Sequence, residues 1–557
     1  MKRIISSILL AASAVIGYGQ TAYDAQMFSE NNYEGTARSV AMGNAFTALG
    51  GDLGGVSINP AGSAVAPYSQ LTLTPAVTFS STTTSGVLPP ESNTLPYFDE
   101  SYKTDLTKAG MPNVGFMFNF DTGRKSGLKS LSVGFVLNRT NSWCEDAYAA
   151  GTNYTTSFAG AAADAATMNV EYYNRDGILP PGEPRYSYKD FIASNAYQIY
   201  SPWKDIVGYN SGIFSAYGEE GEKFVGATEI LFDNGSILQG GPVEQAYGRN
   251  VYGNKYDYTF NIGANISDFI YLGFNLGLNT ITYDRTEYFK EAAVDPYNFE
   301  NIFPDENGND RTTYFQNLTY KSDYSATGSG IYGKFGIIVT PGGGLRLGAA
   351  IQTPTINNME ERWQEKGEAT FTDSYFNGST KSPVGEGTYT FYSPFRANLG
   401  LAYTLGSLGL ISIDYELADY QSMKYKVDKF NMSDGDIEYF NETNDLIKEI
   451  YGIEHQLRVG AEFKPISQLS VRAGYNLMTS ALKFDNSLRH NVSLGLGYSS
   501  KQSFFADLAC RYSLATSEYY MPYDDYQYNG DEILNYSPEI LIRTSGWKLL
   551  LTFGWRF

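Results

Sequence analysis

Side chains able to do chemistry are few in this chain and poorly spaced for it. Its two histidines, His455 and His490, are too few and too scattered for a zinc site. Its two cysteines, Cys144 and Cys510, lie far apart and form no metal or redox motif. No serine, histidine and acid constellation of the hydrolase kind is visible. Gly342-Gly343-Gly344 could suggest a phosphate loop, but Leu345 onward alternates like a strand where a helix N-terminus is needed, so a tight turn is expected. Asp305, Asn307 and Asn309 have the alternate-oxygen spacing of a calcium loop. The glycine is misplaced, however, and Gln316 stands where the bidentate Glu belongs. No enzyme activity, metal or cofactor is expected.

What remains is composition and period. The 557 residues carry 57 Gly, 46 Tyr and 33 Phe, aromatics reach 15%, and only 18% are charged. No mature segment offers the roughly 18–20 consecutive apolar residues of a membrane helix. Disordered chains lack this aromatic content. A formal charge of −20 excludes nucleic acid, which needs a basic surface. Apolar side chains are instead spread thinly, one residue in two.

That spacing recurs along the chain. Leu549, Leu551, Phe553, Trp555 and Phe557 alternate with Leu550, Thr552, Gly554 and Arg556, and period two places the two sets on opposite faces of a strand. Val114–Phe120, Leu131–Leu137, Tyr258–Ala264, Leu345–Ile351 and Leu457–Phe463 repeat it. Cost decides which face meets lipid. Turning Lys548 and Arg556 outward would cost up to about 2–4 kcal/mol each at a bilayer midplane. Asp414, Glu416, Arg458 and Glu462 impose the same choice, so the apolar set points out.

Short connections (121–127, 267–268, 341–344, 406–407, 465–468, 499–502) alternate with long ones (83–110, 143–254, 287–326, 354–387, 429–452, 479–487, 515–544). About fourteen strands lie between them, an even number with short periplasmic turns and long external loops, as in transmembrane barrels. An all-β, closed antiparallel transmembrane β-barrel is therefore expected, since closure removes exposed strand edges. Tyr519, Tyr520, Tyr523, Tyr526 and Tyr528 fall in a long loop and read as loop packing.

Lys2 and Arg3 precede an apolar run from Ile4 to Ile16 and small or polar residues at Gly17–Gln20. This is a signal-peptide pattern, giving residues 1–20 as signal peptide, with cleavage near Gly19–Thr21, and a bacterial outer-membrane destination. Phe553, Trp555 and Phe557 resemble the C-terminal aromatic signal by which such barrels are recognised by the assembly machinery.

Residues 21–67 break the period before the barrel of residues 68–557. Gly35–Leu49 is rich in small residues and could form a short helix. Gly50–Gly62 is dense in turn formers, and glycine permits close backbone approach. Such a compact segment could sit inside a barrel lumen as a hatch.

The run Gly35-x-Ala37-Arg38-x-x-Ala41-Met42-Gly43-x-Ala45, then Asp52, then Asn59-Pro60-Ala61-Gly62, resembles the N-terminal block of the FadL/TodX-type outer-membrane transporters. The resemblance implies an N-terminal hatch plugging the lumen, with Asn59, Pro60 and Ala61 at its tip and Asp52, Gly54, Gly55 and Gly62 in the gating turn. It implies a hydrophobic ligand, a long-chain fatty acid first, captured among the external loops. A kinked third strand, here Leu128–Ser142, would give lateral exit into the bilayer, although nothing in that strand's own residues shows a kink. The expected partners are this small molecule, outer-membrane lipid, lipopolysaccharide and the assembly machinery, and the chain is expected as a monomer. Hemin or another aromatic ligand, with His455 and His490 as available axial groups, and a surface adhesin or structural barrel are the alternatives.

Overall fold

The computed structural model describes residues 20–87, 98, 100–175, 185–200, 202–304, 307–430, 432–500, 503–529 and 532–557. The signal-peptide reading, apart from Gln20, and Asp305 lie outside them. No described helix is long and apolar enough to cross a membrane; strands form the wall.

Fourteen antiparallel strands make a closed barrel. They are β1 (Gln70–Val87), β2 (Tyr102–Asp121), β3 (Leu128–Asn153), β4 (Val243–Ile266), β5 (Ile270–Ala293) and β6 (Asp310–Gly342). β7 runs in two pieces (Leu345–Gln352, Ile356–Phe371), as does β8 (Gly385–Tyr392, Phe395–Thr404). β9 (Gly409–Asp419), β10 (Ile453–Ile466), β11 (Leu469–Thr479), β12 (Leu488–Ser499), β13 (Phe504–Tyr520) and β14 (Glu539–Arg556) complete it. Closure is direct, because β1 pairs with β14 from Gln70–Arg556 to Val87–Glu539.

The faces divide as the alternation requires. Leu73, Phe116, Phe118, Val133, Phe260 and Leu276 are exposed around the outside, while Thr72, Asn113, Ser132, Asn261, Asp414 and Arg458 are buried inside. A band of exposed Phe, Leu and Ile around a polar lumen is tolerable only in lipid, which makes this an outer-membrane barrel. The inward ions are paired: Glu416 holds both Arg396 (2.9 Å) and Arg458, and Arg472 bridges Glu462 (2.6 Å) and Asp507 (2.5 Å).

The strands outrun the boundaries expected from sequence. β1 and β2 stay paired up to Thr84–Tyr102, so much of 83–110 is ladder, and β3 and β4 pair up to Asn153–Val243. Apolar alternation fades there because both faces leave the hydrocarbon, yet backbone pairing continues. The remaining second external loop folds as a cap. Helices α3 (Phe158–Tyr173) and α4 (Trp203–Asn210) pack with Phe191, Phe214 and Phe224 around an apolar core shared with Val243, Leu318 and Phe371 of the strands.

Candidate functional site

The chain from Gln20 to Ala66 lies within the barrel, almost wholly buried. It opens with α1 (Ala22–Ser29), started by a capping box in which Thr21 accepts from Asp24 N–H and Asp24 accepts from Thr21. α2 follows (Ala37–Ala41). The helix that Gly35–Leu49 could form stops there, since Gly43 and Asn44 adopt φ of 62° and 61°, which a right-handed helix does not accommodate.

Each residue expected in the turn has a definite contact. Asp52 Oδ1 accepts from Thr36 Oγ1 at 2.7 Å and from Gly54 N at 2.9 Å, bracing the segment internally. Gly54 lies against Gly35, Gly55 against the Phe46 ring and Gly62 against Gly50, where a Cβ would crowd each neighbour. Asn59 caps a 3-10 helix, Pro60–Val65, by accepting from Ala61 N (3.0 Å). Its Nδ2 donates to Thr47 O (2.6 Å) and to Ile337 O (3.2 Å) in the wall. Asn261 Nδ2 in turn donates to Pro60 O (3.0 Å).

Wall glycines let the segment dock. A Cβ at Gly273 would strike Pro60 and Ala61, at Gly336 Asn59, at Gly348 Thr47 and at Gly474 Gly43. These inward glycines read in sequence only as the polar side of each strand; their purpose is close backbone approach. Ion pairs add to the docking: Arg38 with Glu462 (3.0 Å), Arg489 with Glu30 (3.2 Å) and Glu34 with Arg139 (2.6 Å). Burial alone would push the Glu34 carboxyl up, but Arg139, Lys548 and Arg511 beside it hold it well below the usual carboxylate range.

Above the segment lies a cavity of about 1330 Å³ beneath the cap. Tyr283, Tyr320, Tyr324, Phe158, Phe289 and Trp363 line it, together with ion pairs of Arg249 with Glu145 (2.8 Å) and Glu518 (3.0 Å). The cavity also reaches Ser142, Trp143 and Lys548 lower in the wall and Glu34 of the N-terminal segment.

At that level the wall divides. β2 and β3 pair from Asp121–Ser130 only as far as Asn113–Asn138, although β2 continues on β1 and β3 continues on β4. Among the described residues no register pair joins Tyr102–Pro112 to β3. Pro112 offers no N–H to a ladder, and β3 bulges next to the division, between Arg139 and Asn141. Beyond it β3 leaves the wall and passes on the lumen side of β1 and β2. The inward hydroxyls of Thr84 and Thr104 donate to its Tyr148 and Asp146 carbonyls. Asn32 N and Glu34 N donate to Thr140 O (2.6 Å) and Arg139 O (2.9 Å), so the N-terminal segment adds a short strand-like contact at the division. The bulge falls inside Leu128–Ser142, the third strand that the resemblance singled out; the residue that could have signalled the division from sequence, Pro112 in the second strand, was not weighed.

The other sequence candidates fall elsewhere. Phe557 pairs with Ser69 in both directions (3.0 Å each), closing the barrel at its periplasmic rim. Trp555 and Phe557 are exposed on the outside and Phe553 is partly buried. His455 and His490 each have Nδ1 hydrogen-bonded to a neighbouring tyrosine hydroxyl, Tyr415 (2.5 Å) and Tyr475 (2.7 Å). Both cysteines are free thiols. Among the described residues no three His, Cys, Asp or Glu side chains gather as metal ligands.

Fold and site together define a closed outer-membrane β-barrel with its N-terminal segment inside the lumen. Similar solved structures include a Pseudomonas aeruginosa FadL homologue, 11% identical, covering 94% of this chain and 98% of that one with a TM-score of 0.47. The P. putida toluene transporter TodX is 11% identical with a TM-score of 0.49, over 94% of this chain and 98% of its own. The Ralstonia pickettii toluene transporter TbuX is 13% identical with a TM-score of 0.45, over 94% and 99%. No protein-family model matches the chain, and no curated protein matches it.

Proposed function

We propose that this barrel carries hydrophobic molecules, long-chain fatty acids first among them, inward across the outer membrane by diffusion. One observation carries the reading: a cavity lined by aromatic rings, with charged side chains among them, descends from the cap to the level at which β2 and β3 part. An oily solute gains little from a water-filled pore, and here the N-terminal segment occupies that route. A ligand lodged between the rings would instead pass sideways through the division, its apolar part entering hydrocarbon without crossing water. Burial of an alkyl chain, at about 0.8 kcal/mol per CH₂, drives both steps, and no catalytic group is required.

Asn59, Pro60 and Ala61 serve in this reading as the hatch tip, held to Ile337 O and Asn261. Residues 21–67 act as the hatch, and 68–557 as barrel and loops. Small displacements of the segment would shift the ligand between sites, as any ligand with unequal affinity for two states does.

The test is uptake of labelled oleate, with labelled toluene in parallel, by a deletion strain with and without the cloned gene. Gene-dependent uptake of oleate supports the fatty-acid reading. Gene-dependent uptake of toluene alone moves the cargo to aromatic hydrocarbons, and equal uptake of both with and without the gene refutes transport.

A further inference from the structure

Below the Thr104 contact, the division between β2 and β3 is bridged by a charged side chain. Lys108, on the upper part of β2 that pairs with β1 alone, faces inward and is 6% exposed. Its Nζ crosses to donate to Gly253 O on β4 (2.6 Å) and to Trp143 O on β3 (3.1 Å), with Ser142 Oγ at 3.5 Å. On the outer side the ammonium lies 3.9 Å from the ring centroid of Tyr252, a residue exposed on the outer face of β4. Ser142 and Trp143 line the cavity, so Lys108 lies directly behind that part of its wall, between it and Tyr252 on the outer face.

Its partners are neutral, as are those of Lys255 on β4 but unlike those of the nearby arginines and Lys548. Arg139, Lys548 and Arg511 share the Glu34 carboxylate, and Arg249 is held by Glu145 and Glu518. Among the described residues Lys108 makes no ion pair; it holds a full positive charge against carbonyl oxygens and an aromatic face. A carboxylate carries a full opposite charge that a carbonyl lacks, and away from bulk water that attraction strengthens, so an anionic head reaching this point would compete well with those carbonyls. The ammonium would then be drawn off the β3 and β4 main chain as the head arrives.

Resting on the transport reading above, we propose that Lys108 is the specificity-determining residue of the lateral exit: it staples the division of β2 from β3 and releases it to amphiphiles with a carboxylate head in preference to uncharged ones. Tail and head have separate tasks in this scheme. The apolar tail fits the aromatic cavity, and the carboxylate replaces Trp143 O and Gly253 O at the ammonium.

The experiment compares uptake of labelled oleate and of labelled oleyl alcohol, which has the same chain and no charge, in cells of the deletion strain making wild-type protein, K108M or K108R. Barrel folding is checked for each by heat-modifiable gel mobility. The expected result is a loss of at least tenfold in oleate uptake by K108M with oleyl alcohol unchanged or faster, and recovery of oleate uptake in K108R. Equal effects of K108M on both solutes, or no effect on oleate, overturn the role of Lys108 while leaving transport intact. Failure of the wild type to carry either solute overturns the transport reading, and this proposal with it. If K108M does not fold, K108R and K108Q take its place, and a K108Q that carries oleate as well as K108R does overturns the proposal.

Discussion

The Arg139 guanidinium grips the Glu34 carboxylate through two nitrogens, Nη2 at 2.6 Å and Nε at 2.8 Å, with neither side chain more than 2% exposed. The pair ties the N-terminal segment to the strand that leaves the wall. Lys548 and Arg511 face the same carboxylate, so one negative charge is shared among three basic side chains.

Removing that charge is predicted to be costly. Breaking a buried ion pair by deleting one partner costs about 3–5 kcal/mol, and Glu34→Gln would leave Arg139 without its counter-ion beside two further cations. The midpoint of heat-modifiable unfolding in detergent should fall. The sign of the pH effect follows from a depressed folded value: the stabilisation is present above the ordinary glutamate range and is lost only as pH drops through the lowered one. The difference in midpoint between wild type and Glu34→Gln should therefore stay constant between pH 7 and pH 5, and a shrinking difference there would show that Glu34 is not ionised as described.

Docking of the N-terminal segment depends on glycine at wall positions. Gly273→Ala is predicted to push Pro60 and Ala61 off β5 while leaving the barrel closed. Planar-bilayer recordings should show larger or more frequent ion currents than wild type, with heat-modifiable mobility retained. Unchanged conductance would mean that the segment does not obstruct the pore at this point.

Asn59 should show the same loosening by another route. Asn59→Ala removes an N-cap, worth about 0.5–2 kcal/mol, together with the donor to Thr47 O and Ile337 O. Limited proteolysis from the periplasmic side should cut residues 50–66 faster in the variant, and equal cutting rates would refute the anchoring role.

Pro112 is predicted to keep β2 and β3 apart. Pro112→Val restores a backbone donor and a β-branched side chain suited to a strand, which favours extension of the ladder beyond Asn113–Asn138. Uptake of the hydrophobic cargo should fall severalfold while surface abundance stays constant. Undiminished uptake would argue against exit at this seam.

The cap carries its own titration. Burial pushes Asp205 up to about 6, although Asn169 and Tyr200 donate to it, and burial pushes Glu229 up to about 7 against the Gly226 N–H. Unfolded carboxyls titrate near 4. Raised folded values mean that the cap is most stable where these acids are neutral and weakens as pH rises from about 4 to 7. Amide exchange within α3 and α4 should be slower at pH 5 than at pH 8 after correction for the intrinsic rate. Asp205→Asn should reduce the difference.

Much of this protein is local and periodic, and so was legible in the chain alone. Alternation of Phe, Leu and Trp with Gly, Asn and Thr assigns each strand two faces, and the cost of lysine or arginine in hydrocarbon assigns which face is which. From Leu549–Phe557, or from Asp414 and Glu416 opposite Ile413 and Tyr415, the barrel and its polar lumen follow without coordinates. The turn formers from Gly50 to Gly62 likewise marked a segment that no strand could absorb. The tertiary structure alone decided the pairings between distant residues: Glu34 with Arg139 and Lys548, Arg38 with Glu462, and Lys108 with Trp143 and Gly253. It also decided where the ladder between β2 and β3 stops, because that depends on two strands following different neighbours upward, and no period within either strand records it. Strand period is dictated by the geometry of one backbone, whereas a gap in a wall, and the charge that closes it, are relations among three.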